Sequence, residues 1–451
     1  MPDISDLDEF VGYHLERAYL LRAELGESDR RTVRLAEDGG RRLGAAGVRA
    51  LKRGDVRATT SLLGRATSLL PRDEPLRREL LCELGIGLRT SGDSAAAEST
   101  LEEAIASSQA AHDRRIELRG RIEYEYVRFL QESTRTGDAL LDATTEGIPI
   151  FESVKDNRSL ARAWLLAGFV LGAHRGQHKA GGEAAERAYA YYKSSHWPTA
   201  TCLGQIAIAL YYGPTSVPEA VTRCSELLDD AVSDRVGGAN VQVFLGGLMA
   251  QRGNFDEARE LVASAKATYE DLGQRTSVAI YCEAMLGEIE LLADDAVAAE
   301  LILRELCAEL ERTRALSHLA SRAGDLAEAL YSQGHLEDAE EWTLVGARHT
   351  APDDLDAQLA WMPVRAKIAA CRGVFEEAEA FVRNAVGLSE QSDALNRRAS
   401  VQCDLGEVLR LMGRASDAAS AFTRATELYE QKGNVVCAAK ARVRHEDMAL
   451  V

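Results

Sequence analysis

Proline is scarce in this chain, with nine in 451 residues, and aromatic residues make up only 6 %. Ala, Leu, Glu and Arg dominate instead, a mixture that favours helix over strand. No C-x-x-C pair occurs. The eight cysteines lie 22 or more residues apart, which excludes the closely spaced ligands of a structural zinc site. Long apolar runs are missing too; the longest, Leu165 to Ala173, is far too short to cross a bilayer. The acidic N-terminus, MPDISDLDEF, has no apolar core of a signal peptide. A soluble, reducing, cytoplasmic setting is therefore expected, without a membrane partner. Positive charge is also short, with 53 Lys and Arg against 71 Asp and Glu, a net charge of −18. Broad binding to a phosphate backbone draws on a basic surface, so no nucleic-acid partner is expected.

Catalytic signatures are absent as well. There is no G-x-x-x-x-G-K-S/T phosphate loop, G-x-S-x-G elbow, H-E-x-x-H pair or kinase signature set. His174 and His178 are four apart, but Gly176 between them reads as a turn, so they are expected to be exposed turn residues rather than metal ligands. No catalytic, cofactor-binding or metal-binding residue is assigned, and the chain is read as a non-enzyme.

What is present is a repeat. LLCELGIGLRTSGDSAAAESTLEEAI, VFLGGLMAQRGNFDEARELVASA and CDLGEVLRLMGRASDAASAFTRA share one pattern. A Leu-Gly pair is followed by Gly seven residues on, Ala five further and Ala seven beyond that. The pairs are Leu84-Gly85, Leu245-Gly246, Leu286-Gly287, Leu326-Ala327 and Leu405-Gly406. The turn positions are Gly92, Gly253, Asp294, Gly334, Gly373 and Gly413. Small residues facing one another let two helices approach closely, and the intervening Gly ends the first helix in a left-handed turn. This is a helix–turn–helix repeat of the tetratricopeptide kind, lacking its early Trp and closing Pro.

Second-helix anchors fall at Thr59, Ala97, Ala180, Ala220, Ala258, Ala299, Ala339, Ala378 and Ala418. The gaps are 38, 83, 40, 38, 41, 40, 39 and 40 residues. The gap of 83 is two periods, placing a degenerate repeat between about Arg115 and Asp156. The reading is an all-α, right-handed tetratricopeptide-like superhelical solenoid of about ten helix pairs with terminal capping helices. The expected layout is a capping helix in 1–30, the array in 31–432 and a second cap in 433–451. In the first cap Leu7, Phe10, Val11, His14, Ala18 and Leu21 share a face expected to cover the array's end. In YYGPTSVPEA, Tyr211 to Ala220, two prolines replace the usual turn.

Repeat register also nominates a surface. Residues eleven before successive anchors include Glu288, Glu328, Lys367 and Glu407, aligned along a concave groove. The expected partner-binding set is Tyr212, Gln251, Glu288, Glu328, Tyr331 and Lys367. Its acidic members would draw a basic protein or peptide partner, or a small cationic effector. Replacing Glu288 and Glu328 by Gln is expected to weaken binding with little change in melting. The other reading of this row is a solvated face. Trp164, Tyr189, Tyr191, Tyr192, Trp197, Tyr211 and Tyr212 crowd one quarter of the chain, either lining a pocket or filling space between repeats.

Several segments carry a resemblance: EFVGYHLERAYLLRAELG, RRLGAAGVRALKRGDVRATTSLLGRATSLLP, LYYGPTSVPEAV, APDDLDAQ and EQKGNVV. The chain resembles, over essentially its whole length, the C-terminal helical arm of bacterial STAND-class signalling ATPases, many of which carry a class III adenylate cyclase domain. The resemblance implies a sensor or interaction module working with a P-loop ATPase or cyclase. Neither activity carries over, because no ATPase or cyclase segment lies within this sequence. Two other readings stand beside it: the ligand-sensing arm of a STAND-type transcriptional regulator of the maltose-activator kind, and an enzyme of unknown type.

Overall fold

The computed structural model of the chain describes residues 4–448. The protein is 83 % helical with no strand among those residues. After Ile4–Glu24, helices alternate in ten consecutive pairs, from Arg30–Arg53 with Val56–Leu69 to Leu395–Leu411 with Ala415–Lys432. Val435–Met448 follows the last pair. The degenerate repeat is present as Arg114–Gln131 and Asp138–Ser153. The tetratricopeptide-like solenoid class read from the period is the fold.

The small-residue pattern acts as its spacing requires. A Cβ added to Gly287 would lie 2.6 Å from the side chain of Leu303, and one on Gly406 would lie 2.7 Å from Phe422. Ala97, Ala258, Ala299, Ala339, Ala378 and Ala418 are fully buried beneath the preceding helix. The nominated turn residues all have positive φ, from 61° at Asp294 to 88° at Gly253. Asp93, Asp234, Asp295 and Asp354 each cap a following helix through a backbone amide at 2.9–3.1 Å, satisfying an otherwise orphaned donor.

Register slips where π-helical turns interrupt the first helices. In the fourth pair, Val170–His174 is such a turn, and the buried small residue is Gly181 rather than Ala180. Gly181 meets the Gly168 carbonyl and the Gly172 backbone, an approach too close for any side chain. The seventh pair holds another π turn, Val278–Glu283, and spans the gap of 41 residues in the period. A π turn adds one residue without adding a turn of helix, which accounts for the longer spacing.

The chain divides into two compact units. Unit 1 comprises residues 1–132, 138–166 and 191–198; unit 2 comprises 133–137, 167–190 and 199–451. In unit 1 the opening helix does not use its apolar stripe as a cover. Gly12 packs on Leu43, Asp8 binds Arg42 at 2.6 Å and Arg49 at 2.9 Å, and Glu16 pairs with Arg65. Leu7, Phe10 and Leu21 stay more than half exposed. Close backbone approach at Gly12, with paired charges beside it, selects the opposite face.

Unit 2 closes on itself. Lys432, fully buried, donates to the carbonyls of Leu210 at 2.9 Å, Gly213 at 2.7 Å and Thr215 at 2.8 Å. These oxygens belong to the end of Ala200–Tyr212 and to the proline-flanked turn, so the departure at Tyr211 to Ala220 builds a three-carbonyl seat. Burial pushes the Lys432 pKa down to about 7, opposed by the nearby Asp393 carboxylate. Three aligned acceptors match the three donors of the ammonium form, so the geometry selects the charged state. A second closure joins Asp393 to the amides of His178 and Lys179, both at 2.9 Å. The Ser392 hydroxyl donates to the Gly176 carbonyl at 2.8 Å. A third runs from Lys440 to the Leu292 carbonyl at 2.8 Å and Asp294 at 2.5 Å.

Lys432→Met strips three buried carbonyls of their donor. It should cost about 3 kcal/mol in urea unfolding, with amides of Leu395–Lys432 losing hydrogen-exchange protection first.

Candidate functional site

First helices of consecutive pairs line the inner face of unit 2, so the site is assembled from one turn of helix per repeat. Two groups of the nominated residues form there. Glu288 from the seventh pair accepts the hydroxyls of Tyr211 at 2.9 Å and Tyr212 at 2.8 Å. It also pairs with Arg322 at 2.7 Å, and Arg322 reaches Asp325 at 2.9 Å. Gln251 is buried against Tyr211. Arg397 extends the cluster to Asp356 at 2.8 Å. Burial and the Glu288 charge drive both tyrosines well above the usual phenol pKa, so they stay protonated donors. Burial also pushes Asp325 up to about 6 against the pull of Arg322.

The second group lies further along the row. Lys367, 3 % exposed, holds both Glu328 oxygens at 2.6 and 2.7 Å and Asp404 at 2.8 Å. Its ammonium is 4.7 Å from the centre of the Tyr331 ring. Burial alone would lower its pKa, but Asp404 and Glu328 outweigh that and keep it charged. Glu328, Tyr331 and Lys367 line a cavity of about 670 Å³ with Leu291, Cys371, Glu407 and Arg444. That volume lies within the usual range of ligand pockets. The final helix supplies one wall: Lys440 ties it to Asp294, and Arg444 faces the cavity. Cys371 is exposed there, its sulfur 3.7 Å from the Tyr331 hydroxyl, while six of the other cysteines are buried.

The nominated six therefore divide into two triads, Tyr212, Gln251 and Glu288 in one and Glu328, Tyr331 and Lys367 in the other. Sequence register missed the groups that neutralise them: Arg322, Asp325, Asp404 and Arg444. Asp404 lies three residues before Glu407, one helical turn away, and that spacing was the available signal. Because the two glutamates already hold buried cations, Glu288→Gln with Glu328→Gln would uncover charge at Arg322 and Lys367. The double change should therefore cost stability, where register alone led to an expectation of nearly unchanged melting.

His174 and His178 are 7 % and 5 % exposed, not the exposed turn residues expected. The residue 392–393 turn seats on Gly176 and Asp393 covers the His178 end, while His174 packs against Phe169 and the segment carrying Asp354. His178 stacks on Tyr212 at 5.7 Å, and His174 Nδ1 is 3.8 Å from Asp354. Phe244 packs against Tyr211, Tyr212 and Tyr281, so this part of the aromatic crowd fills space between repeats.

No family model matches the chain, and no curated protein matches it. Solved structures with similar folds include the Cut9–Hcn1 hetero-tetramer of the APC/C, at 13 % identity and a TM-score of 0.52, covering 96 % of this chain and 83 % of that one. Another is the Rap conjugation gene regulator of plasmid pLS20 bound to a Phr peptide, at 14 % identity and a TM-score of 0.50. That match covers 79 % of this chain and 96 % of the regulator. Both likenesses are of fold, a tetratricopeptide-like helical repeat. Among the described residues no helix is long and apolar enough to cross a membrane.

The His174–Asp354 pair gives a signed pH dependence. Burial lowers His174 from 6.5 to about 4 and raises Asp354 from 3.8 to about 8; Asp353, Asp356, Arg175 and Arg397 surround them. Taken together, the folded pair holds one proton up to about pH 8, whereas unfolded it releases that proton near 6.5. The raised upper step contributes stability that is present below 6.5 and lost as pH rises through 8. Relative to Asp354→Asn, which keeps the helix cap, the parent should lose about 3 kcal/mol between about pH 6 and about pH 9. Urea titrations at each pH measure the difference.

Proposed function

We propose that the chain is a non-catalytic interaction module that binds an extended peptide or a segment of a partner protein along the inner face of unit 2. The observation carrying this reading is the 670 Å³ cavity, to which three consecutive first helices and the final helix each contribute a charged or polar side chain. Side chains repeated at a fixed step along a groove suit a ligand that is itself extended, because contacts then add from one repeat to the next. The inner charges are paired, so the groove offers alternating hydrogen-bonding groups rather than a uniformly acidic field. A mixed polar peptide fits this lining better than a purely basic one. The peptide bound by the Rap regulator of pLS20, and the protein assembly of Cut9 with Hcn1, support a peptide or protein ligand.

The resemblance to STAND arms supports a bacterial signalling role, with a P-loop ATPase or cyclase as the partner that receives the binding event. Inside a cell the eight cysteines would remain reduced thiols.

Cys371 reports occupancy of the cavity. Peptides selected from a random display library on the folded chain should slow its alkylation by maleimide about tenfold or more, and Tyr331→Ala should weaken their binding. A failed selection, or tight peptides that leave Cys371 labelling unchanged, would overturn the reading.

A further inference from the structure

The inner face of unit 1 gathers buried arginines in a chain that is acidic as a whole. Glu83, 2 % exposed, accepts from Arg119 and Arg158, and the Arg158 guanidinium lies 3.6 Å from the centre of the Trp197 ring. Glu123, 1 % exposed, is held by Arg162 through two bonds of 2.6 and 2.8 Å. Arg162 in turn lies 5.1 Å from the centre of the Tyr126 ring, and Arg89 lies 5.0 Å from the same ring. Three arginines thus occupy these two carboxylates, with Arg89 a fourth beside them. The next carboxylates outward, Glu79 and Asp156, are both engaged by Arg115, so within this set of five arginines and four carboxylates one positive charge is in excess.

That surplus falls on Arg89. Its guanidinium makes no hydrogen bond or ion pair among the described residues, and its Nε is shielded from solvent without an acceptor. Glu123, the nearest acid in its field, is already occupied on both oxygens by Arg162. Burial lowers the Arg89 pKa, and the charge of Arg162 adds to that effect. A largely buried cation costs free energy until an anion meets it, and a guanidinium presents a planar fork suited to carboxylate or phosphate. The protein supplies that anion to each of the other three arginines and withholds it here.

We propose that Arg89 anchors an oxyanion-binding site on the inner face of unit 1, which takes a carboxylate or phosphate group of a ligand. Arg162 adds to the field, and Tyr126 forms the platform beside the anion. This assignment is independent of the unit 2 groove, since none of its residues lies in that unit.

Calorimetric titration with inorganic phosphate and with citrate, at ionic strength matched with chloride, tests it. The parent should bind one anion saturably. Arg89→Met should weaken that binding tenfold or more, and Arg89→Lys should restore part of it through charge alone. Arg372→Met, at an exposed and already paired arginine, should leave binding unchanged. A response to phosphate alone assigns the site to phosphorylated ligands, and a response to citrate alone assigns it to carboxylates. Circular dichroism checks that each variant folds, and Arg89→Gln replaces the Met variant if that one does not. Equal binding by the parent and the Arg89 variants, or no saturable binding of either anion, would overturn the proposal.

Discussion

An ammonium seated on three carbonyls, Lys432 on the turn after Ala200–Tyr212, sets the form of unit 2. The final turn of a helix leaves carbonyls without intrahelical donors and carries the negative end of the helix dipole, so a cation there is doubly favoured. Lys432 stands about 220 residues further along the chain. Its contact therefore brings the last pair against the fifth and draws the repeats of unit 2 around an interior. Asp393 at the start of His178–Ser194 uses the complementary end of a helix, a carboxylate on two free amides. Cation at a C-terminus and anion at an N-terminus give the closure its polarity.

Closure explains the chemistry of the inner face. Once the first helices face an enclosed space, their charged residues lose much of their water, and unpaired charge becomes expensive. Glu288 with Arg322, and Lys367 with Glu328 and Asp404, are the arrangement that results. Unit 1 follows the same rule with Glu83 and Glu123 but is left with Arg89 unmatched. The two inner faces thus differ in kind. One is internally neutralised and offers polar contacts, and the other retains a cation.

The fold was legible because its determinants are local. Small residues at a fixed step, a residue of positive φ at each turn and an acidic cap before many helices lie within single 40-residue repeats. The register error at Ala180 arose where a π turn adds a residue that side-chain pattern does not reveal. The site was half legible. Spacing put Glu328, Tyr331 and Lys367 on one face because helical periodicity dictates it. It gave no access to Arg322, Asp404 or Arg444, since which long side chain neutralises which depends on how adjacent repeats rotate. His174 and His178 looked exposed for the same reason: the residues that cover them, Asp354 and Asp393, lie in repeats distant in sequence. On the opening helix, an apolar stripe pointed to the wrong face because a glycine and two acids made the tighter contact.

Closure of unit 2 is tested most directly by zero-length carbodiimide coupling followed by peptide mass spectrometry. Lys440 and Asp294 are partly accessible and 2.5 Å apart, yet 146 residues separate them in sequence. The closed form predicts an amide bond between these two side chains in the monomeric protein at low concentration. Coupling of Lys440 only to carboxylates of its own or the preceding helix, with Asp294 unmodified by any lysine, would contradict it.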